Sequence, residues 1–93
     1  TRTIINKINK QMNIQILDGE FKSNEAIELI TQMIHIKIKY HENKISVSQL
    51  EEDIKARETK IKRLQKDLYE FRNTIDSTTK VVKLKAIINI DLK

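Results

Sequence analysis

The chain contains no cysteine, no proline and a single glycine, Gly19. Without cysteine there is neither a disulfide framework nor a thiolate zinc site, which fits a reducing compartment and a cytoplasmic protein. With no proline and one glycine, sharp turns must be few, so the 93 residues should be shared among a small number of long elements. The same shortage excludes a glycine-rich loop that cradles phosphates. Tryptophan is absent, and two Phe and two Tyr leave little with which to stack nucleic-acid bases. No run of about 18 apolar residues offers a membrane span.

What is present is aliphatic mass and charge. A hydrophobic fraction of 39% beside a charged fraction of 33% suits a folded, strongly solvated, helix-rich protein better than a disordered one. Eighteen Lys and Arg against 13 Asp and Glu give a net charge of +5, which permits an anionic partner without demanding one. At this length a single domain with one small core is expected, and its margin of stability is narrow. Residues 1–11, "TRTIINKINKQ", precede the clear patterning that starts at Met12. They read as an N-terminal extension or an appended remnant, with residues 12–93 as the domain. A native strand or helical turn is the competing account, because Ile4, Ile8 and Met12 also fit a helical stripe.

Met12, Ile14 and Ile16 alternate with Asn13 and Gln15, which marks a short strand. Asp18–Gly19 should end it in a turn with Gly19 at positive φ. Ser23 is then placed to cap a helix, with Glu25 in its first turn. The stretch "IHIKIKYH" from Ile34 to His41 alternates like a strand, yet Ile27, Ile30, Ile34, Ile38, His41 and Ile45 step by three or four. Ala26, Leu29, Met33, Ile36 and Tyr40 make a second stripe beside them, so the pattern predicts one helix over 24–44, buried on two sides. The rival is a hairpin of residues 34–40 with 45–48.

Val47, Leu50, Ile54, Arg57, Ile61, Leu64, Leu68, Phe71 and Ile75 then follow a 3–4 spacing without a slip. This heptad seam predicts a second helix, in which Arg57 is the one polar member. Ser46 with Gln49 and Ser48 with Glu51 fit capping boxes, and Ile45 with Leu50 a hydrophobic staple. Glu51–Lys55, Asp53–Arg57 and Glu58–Lys62 are favourable i,i+4 pairs. After "STTK", Val82, Leu84, Ala86, Ile88, Ile90 and Leu92 alternate with Lys83, Lys85, Ile87, Asn89 and Asp91, a long strand with one apolar face. The expected class is therefore α+β and helix-dominated. Its order is β-α-α-β, an antiparallel coiled-coil-like helical hairpin with a small antiparallel sheet, the sheet being completed by dimerisation or by a partner.

Chemistry is sparse. His35 and His41 lie on helix faces about 120° apart and make no metal pair, and no HExxH or EF-hand pattern accompanies them. No Ser has a His and Asp arrangement around it, and the carboxylates Glu51, Glu52 and Asp53 open a helix, where dipole reasons alone suffice. No enzyme, metal or cofactor is expected. Lys55, Lys60, Lys62, Arg63 and Lys66 on the second helix, with Lys83 and Lys85 on the last strand, are candidate contacts to nucleic acid or an acidic partner. Solubility is the plainer account of these cations. Val82, Leu84, Ile88 and Ile90 are the candidate interface along the sheet. No motif matches a named family. In kind only, the chain looks like the small inhibitors and accessory proteins of phage and other mobile elements, such as anti-CRISPR proteins and antitoxins. The function expected is a non-catalytic protein that docks on a larger protein or nucleoprotein, as a homodimer, with a direct RNA- or DNA-binding module as the alternative.

Overall fold

A computed structural model describes residues 10–76 and 78–93. Most of the segment 1–11 assigned above to an extension lies outside the described residues. The order is β1 (Lys10–Lys22), α1 (Ser23–Val47), α2 (Glu51–Thr74) and β2 (Val81–Leu92), as the patterning predicts. The chain divides into two compact units, a helical hairpin over Lys22–Lys80 and a ribbon that holds the two strands.

In the hairpin, the alternation over Ile34–His41 belongs to a helix. α1 runs unbroken for 25 residues, with Glu25 in its first turn and Lys44 in its last, each complementing the helix dipole. Only three residues, Ser48, Gln49 and Leu50, separate α1 from α2, so the helices run antiparallel. At the open end the Ser23 hydroxyl donates to the Thr79 carbonyl and fastens the two ends of the hairpin together. That use of Ser23 corrects the expected cap: Lys22 holds the capping position, with no side-chain bond to the helix.

One stripe of α1 is half-buried along its length, at Ile27, Ile30, Ile34, Ile38 and Ile45, whereas the second is buried only at its N-terminal end, where Ala26 is fully buried and Leu29 half-buried. Met33, Ile36 and Tyr40 of the second stripe are exposed, Ile36 at 71%. The physical reason lies in the hairpin itself, where a helix with one helical neighbour can sink only one stripe into it. On α2, Leu68 is buried, with Ile54, Ile61, Leu64 and Phe71 half-buried, and Ile75, just past its end, is half-buried as well. The seam starts at Ile54, because Val47 ends α1 and Leu50 stands 70% exposed ahead of α2. The staple and capping boxes therefore do not form. Ser46 donates to the Asn43 carbonyl inside the last turn of α1, at 2.8 Å. Ser48 instead accepts from the Leu50 N–H at 3.3 Å. At the far end of α2, Asp76 accepts from the N–H groups of Thr78 and Thr79 at 2.8 and 3.2 Å, a side-chain turn that stops the helix.

In the ribbon, β1 and β2 form a two-stranded antiparallel sheet. β1 spans 13 residues and passes straight through Asp18–Gly19, where no glycine takes positive φ. The expected turn is absent because the helical hairpin already reverses the chain, and the 12 residues of β2 give a longer first strand ladder partners. Asp18 accepts from the Gln15 amide at 2.9 Å along the strand. Leu17, Gly19 and Phe21 are half-buried on one face, whereas Met12, Ile14 and Ile16, on the other, remain exposed.

Candidate interaction site

The most ordered polar chemistry sits inside the hairpin. His41 falls on the buried stripe of α1 and is only 3% exposed. Across the seam, Arg57 of α2 donates from one terminal guanidinium nitrogen to His41 Nδ1 at 3.1 Å. Its Nε–H lies 3.2 Å from both oxygens of Asp53, one helical turn back. A guanidinium only donates, so Nδ1 must be the bare, accepting nitrogen of a neutral imidazole with its proton on Nε2. Among the described residues Nε2 has no partner. Burial, then the cations Lys37, Arg57 and Lys60, push the His41 pKa below the usual imidazole range, and Asp53 opposes them. Hydrogen bonds from Ser48 and Arg57 hold the Asp53 carboxyl below its ordinary range.

Tyr40 covers the cluster from the solvent side. Its ring meets His41 edge-on at 5.5 Å, and Lys37, Lys44 and Arg57 place cationic groups 5.3, 5.7 and 5.8 Å from its centroid. The sequence predicts Arg57 as a seam residue paired with Asp53, which the structure shows. It misses the bond to His41, although both are polar members of facing stripes, which was the available signal. The assembly ties the two helices together across the seam. Among the described residues, no group of carboxylates and imidazoles is arranged to hold a metal ion.

The predicted basic contacts fall into two sets. Lys55, Lys60, Lys62, Arg63 and Lys66 are all exposed on α2. Two are engaged by carboxylates, Lys55 by Glu51 at 3.4 Å and Lys66 by Glu70 at 3.9 Å. Lys83 and Lys85 belong to the ribbon, exposed on one face of β2. A groove of about 520 Å³ between the helices mixes His35, Lys39 and Arg72 with Glu42 over a floor of Ile38 and Leu68. Its mixed signs do not make a phosphate track.

The ribbon carries the predicted apolar interface. Val82, Leu84 and Ile90 are half-buried and Ile88 is 48% exposed. The sequence reading passes over Val81 and Ile87, on the opposite face of β2, which are exposed large hydrophobics as well. No protein-family model, no curated protein and no solved structure matches the chain. Among the described residues, no helix is long and apolar enough to cross a membrane.

Proposed function

We propose that this chain is a small non-catalytic interaction protein, an inhibitor or accessory factor that docks on a larger protein through its β ribbon. The observation that carries this reading is a sheet of two strands whose apolar side chains Met12, Ile14, Ile16, Ile87, Ile88 and Leu92 are each 40–48% exposed. A two-stranded ribbon is marginal in water by itself. Fully burying one aliphatic side chain contributes about 1.5–3 kcal/mol, so leaving six of them close to half exposed gives up a sizeable part of what a small domain can gain. Strand edges and apolar faces of this kind are standard docking elements, main-chain hydrogen bonds giving affinity and alternate side chains giving specificity.

The test is capture of a partner from source-cell extract by the tagged full chain, with and without nuclease. Ile14→Lys and Ile88→Lys serve as variants. Capture of one protein that survives nuclease and is lost with Ile14→Lys supports ribbon docking. Capture that disappears with nuclease and ignores both variants would replace this reading with a nucleic-acid-binding one.

A further inference from the structure

With strand order β1-β2, each strand has one paired edge and one outer edge. Among the described residues, the loop and side-chain hydrogen bonds all fall between Gln15 and Thr79, so none of them covers the outer edge of β2. An edge 12 residues long, with no second strand on it among the described residues, is a template for another strand. The residues along β2 select which strand fits.

Consider two copies of β2 laid antiparallel with Ile87 opposite Ile87. Val82 then faces Leu92, Leu84 faces Ile90 and Ala86 faces Ile88, all on one side of the sheet. On the other side Lys85 faces Asn89 and Lys83 faces Asp91, and the two-fold axis repeats each pair. That axis is normal to the sheet, so each face continues into its own copy. Eleven consecutive positions, Val82 to Leu92, thus meet a partner of like polarity or opposite charge.

Neighbouring registers match less well. Sliding by two residues sets Val81 against Asp91 and Lys85 against Ile87 in one direction; in the other it keeps Lys85 against Asp91 but opposes Ile87 to Asn89 and Lys83 to Lys93. A one-residue slip exchanges the faces and brings Lys83 against Ile90 or Leu92. β1 matches over a shorter span: pairing its full length with a second β1 opposes Lys10 to Lys22 and Met12 to Glu20, and centring on Ile14 pairs only residues 10–18, with Gln11 against Leu17. We infer that the chain forms a two-fold homodimer by antiparallel pairing of the outer edges of β2, centred on Ile87, giving a four-stranded sheet in the order β1-β2-β2-β1. The inference rests on the ribbon being a docking element, and it assigns one edge to a second copy while leaving β1 for the larger partner. Four strands also pass the threshold of about three at which a sheet becomes independently stable.

Sedimentation equilibrium of the full chain tests the register. The wild type is expected to be a dimer at micromolar concentration. Lys83→Glu and Asp91→Lys each set like charges opposite one another twice and should weaken the dimer roughly tenfold. Combining the two swaps the charges and should restore the wild-type constant to within about threefold. Both side chains are exposed, so the variants should fold, which circular dichroism checks. The cysteine-free chain allows a second test. Ile87→Cys should cross-link on mild oxidation, because directly opposed Cβ atoms lie about 4.5–5.5 Å apart, whereas Asn13→Cys on β1 should not. A wild type that stays monomeric at tens of micromolar, a charge swap that fails to restore association, or cross-linking through Asn13→Cys alone overturns the proposal. A monomer that still captures a larger partner overturns the dimer and leaves the docking function standing. A cross-linked dimer that captures nothing does the reverse.

Discussion

Two residues show how local preference yields to its surroundings. Gly19 follows an aspartate, and the pair reads as a turn, yet it lies inside β1 without positive φ. No heavy atom lies within 4 Å of where its Cβ would stand. Glycine here only enlarges the unfolded ensemble, so Gly19→Ala should stabilise the fold by about 0.4–1 kcal/mol. A lowered melting temperature would show that the backbone at Gly19 needs a conformation an L-residue resists. His41 is the other case. The sequence places it among the isoleucines of one helical stripe, and the structure buries it as the neutral acceptor of an Arg57 N–H. Protonating Nδ1 would aim a donor at a donor and add a fourth cation beside Arg57, Lys37 and Lys60, with Asp53 as the one countercharge. The folded state lowers the His41 pKa, so the unfolded chain binds the proton more readily. Stability is therefore full above the ordinary value of 6.5 and is lost as pH falls from there through the lowered value. Asp53 and Asp76, whose pKa values are also lowered, add their losses only below 3.8. Melting temperatures at pH 7.5, 6.5 and 5.5 should decline for the wild type and flatten for His41→Leu. An equal decline in the variant would place the sensitivity elsewhere.

At the scale of elements, helix and strand identities were legible because each has its own period. Ile34–Tyr40 alternates, but only the helical reading also places Ile27, Ile30 and Ile45 on the same stripe, and α1 confirms it. The 3–4 spacing from Ile54 to Ile75 and the alternation from Val82 to Leu92 likewise matched α2 and the second strand. Ends were harder to read. β1 outran its pattern at both ends, since ladder pairing with a distant segment leaves no mark in the local sequence. Val47 and Leu50 fit the heptad in spacing and fail it in space, because α1 ends at the first and α2 begins after the second. Periodicity also overstated burial, as it does not record how many neighbours a helix has. The contrast between stripes gives a stability test. Leu68→Ala removes a buried side chain from the seam and should cost about 2–5 kcal/mol. Ile36→Ala removes an exposed one and should stay within about 0.5 kcal/mol. Urea melts of both variants decide this, and comparable losses would mean that the outer stripe of α1 is covered in solution.

For the whole molecule, the question is whether the charge or the apolar surface governs association. Of the excess of +5, α2 contributes only one unit, seven Lys and Arg against six Asp and Glu, and β2 one more, and two of the five candidate cations of α2 are already matched by carboxylates. Dispersed, partly neutralised charge makes few simultaneous phosphate contacts, and each contact contributes a slope of about −0.9 to the dependence of log affinity on log salt for duplex DNA. A protein built to track a backbone with 6–10 contacts loses about 10³–10⁵ in affinity between 50 and 200 mM salt. Apolar docking has no such term, and burial of apolar area is if anything favoured at higher salt. Binding of the captured protein partner should therefore change by less than about threefold across that range. Lys60→Glu combined with Arg63→Glu should leave that affinity nearly intact, whereas Ile14→Lys abolishes it. Titrations of the purified partner at 50, 100 and 200 mM salt provide the measurement. A steep loss with salt, deepened by the α2 charge reversals and indifferent to Ile14→Lys, would mean that the cations bind and the ribbon does not.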